Sequence, residues 1–361
     1  CLERKWTLVS SYGSMAYLAI SWMGKGSDLV VVCDRPLPFM EVDHVRKEFY
    51  SVFCDIFDLK NTLFLSCFPP GVLPKSKLRS PMRDEMAGLI SDIVLPCEVR
   101  PAGNMARLLE MARFNRKRVI IRKFNNTKPT TPKKLSSIKS PSTDALPFCT
   151  VRLENYNEKM FIHYTRKCVG PWPGQSWSSY LSDLIGDKPG SSHSGLETLK
   201  RILLERKIRA SSKWSRGSTP VVSFTETAPD QFNLIHKWRR GLMRHTFEPF
   251  GIAFVSEALL DKGVKKVIYG SNGDFKDLSQ DAKAFFQLSS SSCGEWTPEA
   301  EWRLVGDLDF GDMRPSDWFI IVPNDQSARI LLDTLYIRGL RVYVSNFEAT
   351  GRSSKIKGKI T

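Results

Sequence analysis

"KWTLVSSYGSMAYLAISWMGKGSDLVVVCD", residues 5–34, reads as strand, turn, helix and strand. "SDLVVVCD" is a near-continuous apolar run, the pattern of a strand buried on both faces, which parallel sheets require. "SMAYLAISWMG" between the two strands is a helix entered through a polar, Gly-containing turn. Parallel neighbours need such a crossover. Working outward, the alternation continues. "MEVDHVRKEFYSVFCDIF" has helical spacing, "NTLFLSCF" is a strand and "SPMRDEMAGLIS" a helix. "DIVLPCE" is a strand, "NMARLLEMARFN" a helix and "KRVIIRKF" a strand. The expectation for residues 1–122 is an α/β domain with a doubly wound parallel, Rossmann-like sheet.

Residues 123–147 break this texture, with Pro129, Pro132, Pro141 and Pro147 set among Thr, Ser and Lys. Such a composition cannot bury a core, so the stretch reads as a linker. From 148 to 350 strands and helices mix without regular alternation, which predicts a separate α+β domain, followed by a basic tail at 351–361. A chain of 361 residues is long for a single core, in keeping with two domains.

The net charge is +15, of which nine charges lie in 123–142 and the tail. These two segments offer non-specific phosphate attraction to nucleic acid, but Lys-rich linkers and tails also serve solubility. No apolar run is long enough to span a bilayer, so no membrane partner is expected. No signal peptide is read, and the sequence opens at Cys1 without Met. Eight Cys are scattered singly with no CxxC pair, which predicts reduced core thiols in a cytoplasmic protein rather than zinc or redox sites.

Ligands of open parallel sheets bind beyond the carboxyl ends of the strands, where helix N-termini present free amides to phosphates. Three strand ends fit: "SSYGSMA" with Ser11 and Gly13, "RSPMRDEM" with Arg79 and Arg83, and "EVRPAGNMARLLE" with Arg100, Gly103 and Asn104. Any doubly wound fold has such turns, so a purely structural role is the alternative. On these motifs the region resembles the SLOG superfamily, the Rossmann-like group of DNA-processing protein A and the lonely-guy phosphoribohydrolases. "PAGNMARLLE" stands where the latter carry PGG-x-GT-x-x-E; Pro101, Gly103 and Glu110 correspond, Ala102 replaces a Gly and the GT step is absent. The resemblance implies a nucleotide or nucleotide-derived ligand.

In the second half His163 stands in "FIHYTR", a helix follows, Ser223 stands in "VVSFTE" and Glu301 in "EAEWRL". This order resembles the ADP-ribosyltransferase fold, and the half also looks like proteins of bacterial abortive-infection and phage-defence loci. The resemblance implies NAD as substrate, no metal, and a two-domain sensor/effector whose first domain binds a nucleotide. Cleavage of the nicotinamide–ribose bond passes through an oxocarbenium-like state that a carboxylate stabilises electrostatically. Glu301 fills that role, with Glu299 on the same face polarising an acceptor if the strand is regular. His163 is expected on the adenosine ribose, Ser223 beside Glu301, Phe224 or Tyr269 stacked on nicotinamide, and Arg166 or Arg209 on the pyrophosphate.

Plainer readings stand beside these. Glu299 and Glu301 could pair with Arg303 on a wet sheet face, and His163 and Ser223 could be ordinary strand residues. A DNA-processing-like protein that binds single strands, with a non-catalytic second half, is one alternative function. A metal-dependent nuclease using Asp307, Asp309, Asp312 and Glu301 is another. Oligomerisation stays open.

Overall fold

The computed structural model describes residues 5–12, 14–36, 55–70, 72, 75–96, 99, 103–120, 148–155, 159–212, 219–239, 244–289, 299–335 and 340–347. The chain divides into two compact units, Cys1–Pro141 with Gly170–Lys188, and Ser142–Val169 with Pro189–Thr361. The expected helix over "MEVDHVRKEFYSVFCDIF" lies mostly, and the linker and tail lie wholly, outside the described residues. Among the described residues no helix is long and apolar enough to cross a membrane.

In the first unit β1 (Leu8–Ser11), β2 (Leu29–Cys33) and β3 (Thr62–Ser66) form a parallel sheet in that order. Val31 and Val32 are fully buried, as the apolar run predicts. Helix α1 (Met15–Met23) starts where Ser14 accepts the Tyr17 amide with its hydroxyl, a side-chain cap for an otherwise unsatisfied donor. Helix α2 spans Ser76–Ile90, β4 Ile93–Val94, α3 Asn104–Phe114 and β5 Arg118–Val119. A single doubly wound sheet was the expectation. Instead β4 and β5 pair in parallel with each other and form a separate ladder. Each is only two residues long, and Pro96, without an N–H, stands just beyond β4.

Helix α4 (Trp177–Ile185) corrects the domain boundary read from sequence, because it belongs to the first unit and not to the second. Its Tyr180 and Leu181 are buried in one cluster with Leu18, Leu29, Val31, Ile56 and Phe57. Its first amide, from Trp177, donates to the Asp55 carboxylate at 2.6 Å, and Trp22 Nε1 donates to Ser178 Oγ at 2.7 Å.

The second unit is built on a mixed eight-stranded sheet. Its strands are β6 (Cys149–Thr150), β7 (Met160–Tyr164), β9 (Val221–Thr225), β12 (Gly251–Val255), β13 (Lys265–Lys266), β16 (Glu301–Val305), β18 (Trp318–Val322) and β19 (Arg341–Val344). The spatial order is β13-β16-β9-β7-β12-β18-β19-β6. Short pairs flank it: β8 (Lys207–Ile208) with β17 (Leu308–Asp309), β10 (Trp238–Arg239) with β11 (Arg244–His245), and β14 (Ile268–Gly270) with β15 (Phe286–Leu288).

Period-two alternation sorts the side chains of this sheet. Phe161, Val222, Phe224, Ile252, Phe254, Leu304 and Ile320 pack on one face, under α5 (Gly195–Glu205) and α6 (Asp325–Leu335). Helix α5 supplies Leu199, Ile202 and Leu203, and α6 supplies Ala328, Leu331, Leu332 and Leu335, stripes at helical spacing. Truncating a fully buried member such as Leu331 costs about 2–5 kcal/mol. The other face carries Ile162, Tyr164, Ala253, Phe319 and Ile321 on its middle strands. Across β9 and β16 that same face turns polar, with Ser223, Thr225, Glu301 and Arg303. The first unit is thus parallel α/β and the second a mixed sheet with helices.

Candidate functional site

Strands β7, β9 and β16 are consecutive in the sheet, so stretches around residues 163, 223 and 301 come side by side. Arg303 stands opposite Ser223 and Glu301 opposite Thr225. Ser223 is exposed, while Glu301 and Arg303 have side chains only 14% and 4% accessible.

The Arg303 guanidinium uses all five of its N–H donors. Nε donates to Glu301 Oε1 at 2.8 Å and Nη2 to Glu301 Oε2 at 3.2 Å. Nη2 also reaches Gln287 Oε1 at 2.7 Å, and Nη1 donates to the carbonyls of Ala284 and Phe286 at 3.1 and 2.8 Å. A buried guanidinium satisfied in this way is rigid, and it fixes the plane of the Glu301 carboxylate. Each oxygen of that carboxylate keeps further acceptor capacity. The plain reading of an Arg303 pair is therefore present, but with both side chains largely buried rather than wet.

The Glu299–Ala300–Glu301 step is not regular strand. Ala300 has φ of 40°, in the left-handed region that a residue with a Cβ rarely adopts. The strand begins only at Glu301, so the alternation that would set both carboxylates on one face does not extend to Glu299. Hydrogen bonds hold the kink: Thr225 Oγ1 donates to the Glu299 carbonyl and Glu226 N–H to the Ala300 carbonyl. The Tyr269 phenol on β14 meets the start of the strand. Burial pushes its pKa up to about 12, against a hydrogen bond from the Glu301 amide and the charge of Arg303, while the charges of Glu301 and Glu299 add to the rise. The Glu301 amide donates to Tyr269 Oη at 3.1 Å.

His163 departs from the expected constellation. Its ring lies against Phe224, centroids 6.1 Å apart, on the face opposite Glu301 and Ser223. Its register partner Ile252 belongs to that covered face, and Tyr164 points the other way, as strand periodicity requires. The Nδ1 atom meets the Ser223 carbonyl at 2.9 Å. A carbonyl only accepts, so Nδ1 carries the proton and Nε2 is left as an acceptor. Burial drives the His163 pKa down to about 4 against the effect of that hydrogen bond, and the charge of Arg166 adds to the fall. The ring is neutral at pH 7 and braces β9 where its pairing with β7 is limited to Ile162 and Thr225.

Other expected contacts are also reassigned. Phe224 is 2% exposed inside the core, so it cannot stack on a ligand. Arg209 is an exposed residue paired with Glu205 at 2.8 Å. Asp307 accepts the Ala210 amide, and Asp309 accepts the Gly311 amide and pairs with Lys207. Among the described residues no group of three or more His, Cys, Asp or Glu is placed to hold a metal.

In the first unit Ser11 is fully buried and donates to the Val32 carbonyl at 2.7 Å, so it ties β1 to β2 and faces no ligand. Arg83 is buried as well. It donates to the Tyr12 carbonyl at 2.9 Å, pairs with Asp84, and lies 5.0 Å over the Tyr17 ring. Both residues shape the carboxyl end of β1 from within. Arg79 is half-buried on α2, Gly103 is the N-cap of α3 with no side-chain cap, and Asn104 is exposed at its first turn. Gly13 and Arg100 lie outside the described residues.

Sequence reasoning weighed Arg303 but missed Gln287, the Ala300 kink and Asp55. Ala carries no signal of a left-handed backbone, and the amides that the Asp55 carboxylate accepts stand more than a hundred residues away. No family model, curated protein or solved structure matches this chain.

Proposed function

We infer that the second unit cleaves the nicotinamide–ribose bond of NAD, by hydrolysis or by transfer of ADP-ribose, with Glu301 as the catalytic carboxylate. The observation that carries this reading is the largely buried Glu301 carboxylate held by paired hydrogen bonds to Arg303, which stands opposite the exposed Ser223 in the next strand. Nicotinamide departs with the bonding electron pair, and the ribosyl carbon becomes cationic. Arg303 holds the Glu301 carboxylate in a fixed plane. Preorganised charge of this kind stabilises a cation without reorganisation at the moment of reaction. His163 is a positioning residue in this scheme, acting through the strand that carries Ser223.

The first unit fits the partner role in a sensor/effector pair of the defence type. Its candidate contact for a nucleotide-derived anion is the start of α3, where Gly103 leaves the first amides without a side-chain cap. Purified protein incubated with NAD, with nicotinamide release followed by mass spectrometry, tests the reading. Glu301→Gln should lower the rate on the order of 100-fold or more. Unchanged turnover in that variant would remove Glu301 from the chemistry.

A further inference from the structure

The ribbon of β10 and β11 is a two-stranded ladder of its own, apart from the eight-stranded sheet. Its base is fastened to the core. Thr246 is buried, its hydroxyl accepts the Lys237 amide at 3.0 Å and donates to the Ile235 carbonyl, and its amide donates to the Lys237 carbonyl at 2.9 Å. His236 Nδ1 meets the Phe247 carbonyl at 3.0 Å, and its ring centroid lies 5.1 Å from Phe232 and 5.0 Å from Phe347. The His245 ring lies parallel to His236, with centroids 4.2 Å apart and planes 8° apart. His236 is half-buried and His245 exposed, so the stack runs from the core to the surface.

The register of the ribbon separates two chemistries. Trp238 stands opposite His245, and one residue along Arg239 stands opposite Arg244. Like charges at directly opposed positions destabilise a ladder. The stretch 236–245 contains no acid to offset them. Glu248, the nearest acid along the chain, has its two oxygens on the amides of Lys167 and Gly195. Lys237 adds a third cation, exposed and without an ion pair among the described residues. A partner that supplies anions removes this cost. An anionic lipid surface or an acidic peptide brings charge but no repeating planar group. A nucleic-acid strand brings both, a phosphate and a base in every unit, and in a single strand the base faces are open to stacking.

We propose that the β10–β11 ribbon is a binding surface for single-stranded nucleic acid, in which Lys237, Arg239 and Arg244 hold phosphates and a base extends the imidazole stack at His245, with Trp238 at the opposed position. Such binding is tolerant of sequence, because every base has a flat face. It involves neither the linker nor the basic tail, and it stands whether or not the NAD reading does.

The test is fluorescence anisotropy of the full chain with a labelled oligothymidylate across a salt series, with a duplex of the same length and phosphatidylserine vesicles as competitors. Arg239→Gln with Arg244→Gln removes two opposed like charges, so the melting temperature should hold or rise. Affinity should fall by about tenfold or more, and the slope of log K against log salt should become shallower by about 1.4, the share of two phosphate contacts. His245→Ala should weaken binding by roughly five- to hundredfold with the slope unchanged, and His245→Phe, which keeps a flat ring, should restore it. Duplex and vesicles should compete poorly. No binding of the oligonucleotide at low salt, or an affinity and slope that survive the double Arg variant, would overturn the proposal. Vesicles that displace the strand completely, together with full affinity in His245→Ala, would assign the ribbon to a lipid surface instead.

Discussion

Arg303 and Glu301, two residues apart on one strand, meet through paired hydrogen bonds of 2.8 and 3.2 Å on a face where both are largely buried. Removing the cation leaves the carboxylate uncompensated and frees the carbonyls of Ala284 and Phe286. Arg303→Met should therefore cost about 3–5 kcal/mol in urea unfolding. Glu301→Gln keeps an acceptor for the guanidinium and should cost less. A loss below about 1 kcal/mol in Arg303→Met would show that the pair does not organise this face.

Ala300 gives a second test, because its left-handed backbone is strained by its Cβ. Ala300→Gly relieves about 1–2 kcal/mol of steric strain and gives back part of it through a more flexible unfolded chain. Its melting temperature should hold or rise slightly, whereas Ala300→Val should lower it. If the kink serves the reaction, Ala300→Gly should also slow NAD turnover as Glu299 loosens. A more stable Ala300→Val protein would contradict the strain.

His163 makes stability depend on pH in a definite direction. Its folded pKa, about 4, lies below the ordinary value of 6.5. Above 6.5 neither state binds the proton, so the ring adds no pH dependence. As pH falls from 6.5 towards 4 the unfolded chain takes up a proton that the folded one does not, and up to about 3 kcal/mol of stability is lost. His236, also held below its usual value by burial, adds a loss of the same sign. His163→Gln should flatten the decline between pH 6.5 and 4 without abolishing it, as read by denaturant melts at stepped pH. An unaltered slope would place the ring in water.

Asp55 tests the boundary between the units. Its carboxylate accepts the Trp177 amide at the start of α4, where a negative group also meets the positive end of the helix. Asp55→Ala should destabilise the first unit by about 0.5–2 kcal/mol and expose α4 to limited proteolysis. Protection of residues 170–188 equal to wild type would mean that the contact contributes little.

Some of this organisation was legible in the residues. Buried valine runs such as Leu29–Cys33 have one stable setting, and the alternation in Glu301–Val305 sorts its side chains by face. The order of His163, Ser223 and Glu301 along the chain anticipated three adjacent strands but not the face each residue would take. That depends on strand parity, which a single residue shifts. Ser11 and Arg83 looked like ligand contacts because polar residues at strand ends so often are. Backbone carbonyls that also need donors, at Val32 and Tyr12, take them instead.

The path of the chain through its two units has a consequence for synthesis. The first unit is not a continuous stretch, because Gly170–Lys188 returns to it after Ser142–Val169 has entered the second. A growing chain cannot close the cluster around Leu18 and Val31 until α4 has left the ribosome, by which time β7 has already emerged without β9 or β12 to pair with. Domains often fold one after another as the chain is made. Here the first must wait with its apolar face open, so translation speed across residues 141–188 governs how much chain is exposed to misassembly.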